Sequence, residues 1–170
     1  MKKLSVVAVA LIAVAGIAVA SSLSVPWFVD QAPAGVGYPP TQGTAGYIQL
    51  KNNTEDDIVG EIVYFNGEGR NLGVEYPDNT FVLPALSTVA FRPVRYDESQ
   101  ESAVARLVPD RPISPDAETP IPNTDPPLID TRPNGSATIS WTGGPNDIQG
   151  AMVQVGVNGF AYAFLLPPGF

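Results

Sequence analysis

Carboxylates are the side chains most able to do chemistry in this chain, because the sequence contains no histidine and no cysteine. Their absence removes the usual general base near neutral pH, the thiol nucleophile and the commonest ligands of transition metals. A hydrolase that uses two carboxylates in a rigid cleft is still conceivable. Glu61 is the one acid that the pattern places within a strand between apolar neighbours, and we interpret it as an outward-facing charge.

Oxygen-rich turns offer a second kind of chemistry, the binding of Ca²⁺. Exported acidic domains can hold this ion in loops that are rich in carboxylates and carbonyl groups. The candidate ligands are Asp56, Asp57, Asp125 and Asp130. No segment follows the EF-hand loop pattern, so we expect no cofactor, with Ca²⁺ as the alternative.

Exposed aromatic and arginine side chains are the candidates for contact with a ligand or partner. They are Trp27, Phe28, Tyr47, Arg92, Arg95 and Tyr96. Tyr47 shares the polar face of its segment with Gln49 and Lys51. Arg92 and Arg95 could clamp an acidic group, or could pair with the nearby Asp97 or Glu98.

The net charge limits the partners. The chain carries a formal charge of −8, which becomes −10 when Lys2 and Lys3 are removed with a leader. A protein of this charge repels nucleic acid and anionic lipid. We therefore expect protein partners, a second copy of the chain, or a polysaccharide.

Residues 1–20 have the pattern of a signal peptide: two lysines, an apolar stretch predicted as a helix, and an Ala-Val-Ala site before two serines. Cleavage after Ala20 predicts a protein that is secreted or held in the cell envelope or periplasm. The alternative is an uncleaved anchor, since the apolar stretch is nearly long enough to span a bilayer. After processing we expect no stable membrane span.

An apolar arm and a connector, residues 21–43, follow the leader. Residues 23–29 form a short strand candidate with Pro26 inside it, which is typical of a sheet edge. We favour an arm that folds back as the first strand of its own domain, because consecutive strands are often neighbours. The alternative is an arm that pairs with the sheet of a neighbouring subunit.

Alternating residues and turn signals predict about seven or eight short strands in all. After the arm they fall at residues 44–51, 58–65, 80–83, 87–91, 136–141 and the two arms of a hairpin within 147–166. Asn158-Gly159 predicts a type I′ turn in this hairpin. Both of its faces are apolar, so we expect it in the middle of a sheet, with Phe160, Tyr162 and Phe164 buried.

A proline-rich loop, residues 97–135, interrupts the strand pattern of the main domain, residues 44–170. Strands, a long loop and a closing hairpin in this order resemble exported bacterial immunoglobulin-like domains. That resemblance implies an antiparallel β-sandwich.

The function that we expect is that of an exported, non-catalytic structural or interaction module that self-associates through its apolar arm. The first alternative is a small carbohydrate-binding module at the cell surface that uses Tyr47, Tyr96 and acidic residues of the loops. The second is a carboxylate-dependent hydrolase.

Overall fold

The computed structural model describes residues 20–33, 40–73, 79–95 and 108–169. The predicted signal helix, apart from Ala20, lies outside them, as does Tyr96. The described residues form eight strands: β1 (Ala20–Val29), β2 (Thr44–Asn52), β3 (Ile58–Phe65), β4 (Thr80–Leu83), β5 (Thr88–Phe91), β6 (Asn134–Thr142), β7 (Ile148–Gly156) and β8 (Ala161–Leu165).

The strands build two antiparallel sheets of four strands each, which confirms the prediction of an all-β protein. One sheet has the order β1-β6-β3-β4 and is called the β1 sheet below. The other has the order β5-β2-β7-β8 and is called the β8 sheet. Within the parts of the chain described here, no helix is long and apolar enough to cross a membrane.

The alternation of apolar residues decides which face of each strand is buried. In β2, Ile48 and Leu50 point inward, and in β6, Ile139 and Trp141 do the same. These side chains form a single core cluster that draws on both sheets. The two layers are therefore held together by the side chains that the period of two places on one face.

β1 belongs to the sheet of its own chain. It pairs with β6 from Ala20 opposite Thr142 to Val29 opposite Asn134, and its register shifts between Val25 and Phe28, around Pro26. It lies at the edge of the sheet, as Pro26 predicts. Residues Pro167 to Gly169 run along the open edge of β1. The Ser24 amide donates to Pro167 O (2.9 Å), and the Gly169 amide donates to Ser22 O (2.8 Å).

The closing hairpin differs from its prediction in position and in turn type. β8 lies at the edge of its sheet, so the expectation of a central hairpin was wrong. Phe160 is 72 % exposed and Tyr162 39 %, while Phe164 packs partly against the core. The expectation of a buried aromatic stripe was therefore wrong for Phe160 and Tyr162. Side chains of an edge strand are more exposed because a neighbouring strand covers them on one side only.

The turn of this hairpin is longer than a two-residue turn of type I′. Of its two central residues only Gly159 has a positive φ, 73°. The Gly159 amide donates to Gly156 O (3.0 Å), and the Gly156 amide donates to Phe160 O (2.8 Å). Gly156 and Phe160 therefore close a three-residue loop, 157–159, that ends in the left-handed Gly159, which is a common longer hairpin loop.

The predicted proline-rich loop ends earlier than expected, because β6 already begins at Asn134. Its described part before β6, residues 108–133, packs against the sandwich without forming a strand. Val108, Ile121 and Leu128 join the core cluster. Arg111 is 1 % exposed and donates to Arg132 O (3.0 Å) and Asn134 O (2.8 Å), and its guanidinium lies 5.3 Å from the centre of the Phe28 ring. Burial lowers the pKa of Arg111, and nearby Asp130 opposes this effect.

Candidate interaction surface

The outer face of the β8 sheet is low in charge and carries many small apolar side chains. Alternation and strand register place the following residues on it: Tyr47, Gln49, Lys51, Thr88, Ala90, Gln149, Ala151, Val153, Ala161, Ala163 and Leu165. Lys51 is the one charged residue among them, and its ammonium group donates to the carbonyl oxygens of Asn52 (2.6 Å) and Leu86. A sheet face turned to water usually alternates polar residues outward, so this face is unusually apolar.

The hairpin of β7 and β8 concentrates the exposed apolar surface. Leu165 is 82 % exposed, and Phe160 and Val157 are also exposed. Leu165 borders a shallow depression of about 390 Å³ whose floor includes Ala90 and Ala151. Residues 148–170 contain no Asp, Glu, Lys or Arg. In a strongly acidic chain, this is the surface that a second acidic molecule can approach with least repulsion.

The open edge of β8 presents unpaired backbone groups. At the two ends of the β7–β8 ladder, the backbone of Phe160 and Leu166 forms hydrogen bonds with β7. Phe160 O accepts from the Gly156 amide, and the Leu166 amide donates to Gly150 O. Along an antiparallel strand, every second residue directs its backbone N–H and C=O to the same neighbouring strand, so those of Tyr162 and Phe164 also point toward β7. The N–H and C=O groups of Ala161, Ala163 and Leu165 therefore point away from β7, toward a side on which the described chain places no strand.

The other sheet edges are protected. The tail residues Pro167 to Gly169 cover β1. β4 and β5 have four residues each, and prolines follow them closely at Pro84 and Pro93. Short strands, prolines and covering segments are the devices by which sheets avoid edge-to-edge pairing. β8 is also short, with five residues, and Pro167 follows it, but no segment of the described chain covers its open side between Ala161 and Leu165.

On the inner face of this hairpin, Tyr162 and Phe164 lie together. Their rings are stacked, with centres 6.2 Å apart. The Tyr162 hydroxyl donates to Gln154 Oε1, and Gln154 is buried. Among the described residues, Gln154 Nε2 has no hydrogen-bond partner. Burial raises the pKa of Tyr162.

The predicted contact residues do not form one site. Trp27 is exposed on β1 and Tyr47 is half-buried on β2, so they belong to different sheets. Phe28 lies in the core beneath Arg111. Arg95 is exposed, and Tyr96 is outside the described residues.

Arg92 points into the protein. It is 2 % exposed, and its guanidinium bonds both carboxylate oxygens of Asp30, at 2.5 and 2.8 Å. It also donates to Ala32 O and Pro33 O. Asp97 and Glu98, the partners considered from the sequence, lie outside the described residues.

Only some of the acidic candidate residues lie close to one another. A cleft of about 650 Å³ is lined by Asp56, Asp57, Glu61 and Asp147, among others. Glu61 accepts a hydrogen bond from Asn79 Nδ2 at 2.7 Å. Within the described segments, no group of three or more His, Cys, Asp or Glu residues is arranged to hold a metal ion.

The remaining Ca²⁺ candidates lie apart from this cleft, in the long loop. Asp130 is buried and pairs with Arg132 Nε at 3.0 Å, whereas Asp125 is exposed. The four predicted ligands are therefore not brought to one place.

The sequence reasoning missed the exposed edge of β8. The signal was present in the absence of charge after Asp147, but alternating apolar residues were interpreted as burial on both faces. The chain matches no known protein family, no curated protein and no solved structure. The class is therefore defined by the fold alone: two four-stranded antiparallel sheets packed face to face.

Proposed function

We propose that this protein is an exported, non-catalytic structural or interaction module that works by self-association. The observation that carries the proposal is the uncharged, exposed edge of β8, together with the outer face of its sheet, on which Lys51 is the one charged residue identified, in a chain of net charge −8. Contiguous apolar surface of this kind is typical of protein-protein contacts. Because β1 pairs with β6 of its own chain, we assign the contact to β8 instead of the apolar arm.

The test is the assembly state of the mature chain from Ser21, measured by light scattering and sedimentation velocity over a wide range of concentration. We expect the average mass to rise with concentration. Added salt should favour the associated form, because it screens the repulsion between acidic copies. A chain that stays monomeric at every concentration, with and without salt, would overturn the proposal.

A carbohydrate-binding module is the second candidate, supported by Tyr47 on the outer face of the β8 sheet. A change in intrinsic fluorescence on addition of soluble polysaccharides, lost in Tyr47→Ala, would favour it over self-association. The third candidate, a hydrolase, would use the acidic cleft. Hydrolysis that is abolished by Glu61→Gln would favour that candidate.

Two finer expectations belong to the same proposal. Export through a cleaved signal peptide is supported by the residue pattern of 1–20. An immunoglobulin-like arrangement is supported by two packed antiparallel sheets, although β1 pairs with β6 here, whereas the first two strands pair in constant-type immunoglobulin domains. Mass spectrometry of the exported protein would identify its first residue.

A further inference from the structure

We propose that two copies of this chain pair through β8, antiparallel and across a two-fold axis at Ala163, to give one continuous eight-stranded sheet. This inference rests on the proposed self-association and names its contact. The strand order across the pair would be β5-β2-β7-β8 followed by the same strands of the partner in reverse. Contacts of this kind are isologous, since the same residues serve on both sides.

The direction of the backbone groups selects the register. Ala161, Ala163 and Leu165 are the β8 residues whose N–H and C=O groups point to the open side. With Ala163 on the axis, Ala163 faces the partner's Ala163 and Ala161 faces the partner's Leu165. Every outward backbone group of these residues then has a partner. A register centred on Tyr162 or Phe164 leaves some of them unpaired.

The side chains agree with this register on both faces of the sheet. On the outer face, the large and exposed Leu165 lies beside the small side chain of the partner's Ala161. On the inner face, Tyr162 lies beside the partner's Phe164, so the two stacked pairs of rings form one aromatic group. Aromatic pairs directly across two strands stabilise a sheet.

The charge distribution favours a second copy of this chain as the partner that pairs with the open edge of β8. Residues 148–170 are uncharged, so pairing at β8 brings no acid of one copy against an acid of the other within the paired strands. The rest of the acidic surface opposes contact between copies elsewhere. A basic partner would instead find no carboxylate at this edge to recognise.

Leu165→Lys tests the contact, because an edge lysine is a known obstacle to strand pairing. Leu165 is exposed, so the monomer should fold normally, as checked by circular dichroism. Val82→Lys is the matched control: it adds the same charge at an exposed apolar position on β4, an edge strand of the other sheet. We expect Leu165→Lys to raise the dissociation constant about tenfold or more. The control should change it about twofold at most.

Cross-linking tests the register. The chain has no cysteine, so Ala163→Cys introduces a single thiol close to the proposed axis. A short bifunctional thiol reagent should give a covalent dimer from Ala163→Cys and much less from Val82→Cys, on the exposed β4 of the other sheet. Equal yields from the two variants would overturn the β8 contact.

The outcomes separate this inference from the proposed function. If the wild-type chain associates and Leu165→Lys associates equally well, self-association stands and the β8 contact is wrong. If the wild-type chain is monomeric throughout, both are wrong. If Leu165→Lys alone weakens association and Ala163→Cys alone is cross-linked, the β8 contact is established.

Discussion

Arg92 and Asp30 form a buried ion pair that ties the two sheets together. Asp30 directly follows β1, in one sheet, and its Oδ2 accepts the amide of Gly46 in β2, in the other. Arg92 directly follows β5 and also donates to two carbonyl groups after Asp30. Removal of one partner from such a pair leaves a buried charge without compensation.

Arg92→Met should therefore lower the free energy of unfolding by about 3–5 kcal/mol, measured by urea denaturation. Arg95→Met, in the same segment but exposed, is the control and should change it by less than about 0.5 kcal/mol. Arg92→Met combined with Asp30→Leu should recover part of the loss, because neither charge then remains buried. Equal losses in Arg92→Met and Arg95→Met would contradict the structural role of the pair.

Tyr162 should titrate above the ordinary pKa of 10.0 for tyrosine, because burial disfavours its charged form. Since the folded-state pKa is raised, its contribution to stability is complete below the unfolded pKa and is lost as the pH rises through the folded one. The difference in near-ultraviolet absorbance between wild type and Tyr162→Phe isolates this residue. A midpoint at or below the ordinary value would contradict the partial burial of the hydroxyl.

At the scale of the strands, close approach of β3 and β6 requires a glycine at 135. A Cβ there would lie 2.4 Å from the backbone O of Phe65, in β3, and 3.2 Å from the Phe28 ring. The obstacle is backbone in a paired strand, so it cannot move without disturbing the ladder between β3 and β6.

Gly135→Ala should accordingly destabilise the fold by about 1–3 kcal/mol or more, by thermal or urea unfolding. Gly156→Ala is the matched control in β7, where the nearest atom to the added Cβ is 3.8 Å away, an ordinary contact. We expect that variant to be neutral or slightly stabilising, since alanine restricts the unfolded chain. Similar losses in both variants would show that steric conflict at residue 135 is not the cause.

The strands themselves could be predicted with good accuracy. The bounds of β3 and β4 agree with the predicted segments, and the inward residues of β2 and β6 are those that alternation selects. The position of β8 could not be predicted, because alternation reports which residues share a face and not how many neighbours a strand has. Phe160 and Tyr162 were misplaced for this reason.

For the whole molecule, the N-terminal arm is part of the core. Leu23, Val25 and Phe28 are 5 %, 0 % and 0 % exposed, and they join the same cluster as the inner residues of the other strands. Arg111, from the long loop, covers Phe28. Segments that are far apart in the chain therefore contribute to the same core.

A chain that begins at Thr44 should consequently lose cooperative unfolding, because three core side chains and the neighbour of β6 are missing. The chain from Ser21 is the control and should unfold in one sharp transition. Differential scanning calorimetry measures both. A truncated chain that unfolds as cooperatively as the control would show that the arm is not needed for the core.

The sequence by itself determined the class of secondary structure, most strand bounds, the inward faces and the acidic charge, because these depend on local alternation, turn residues and composition. Tertiary structure decided which strand became the open edge, where Arg92 found its partner, and how the proline-rich loop packed. These features depend on contacts between residues far apart in the chain. Only the folded molecule therefore shows that β8, in the uncharged C-terminal hairpin, lies at a sheet edge beside which the described chain places no further strand.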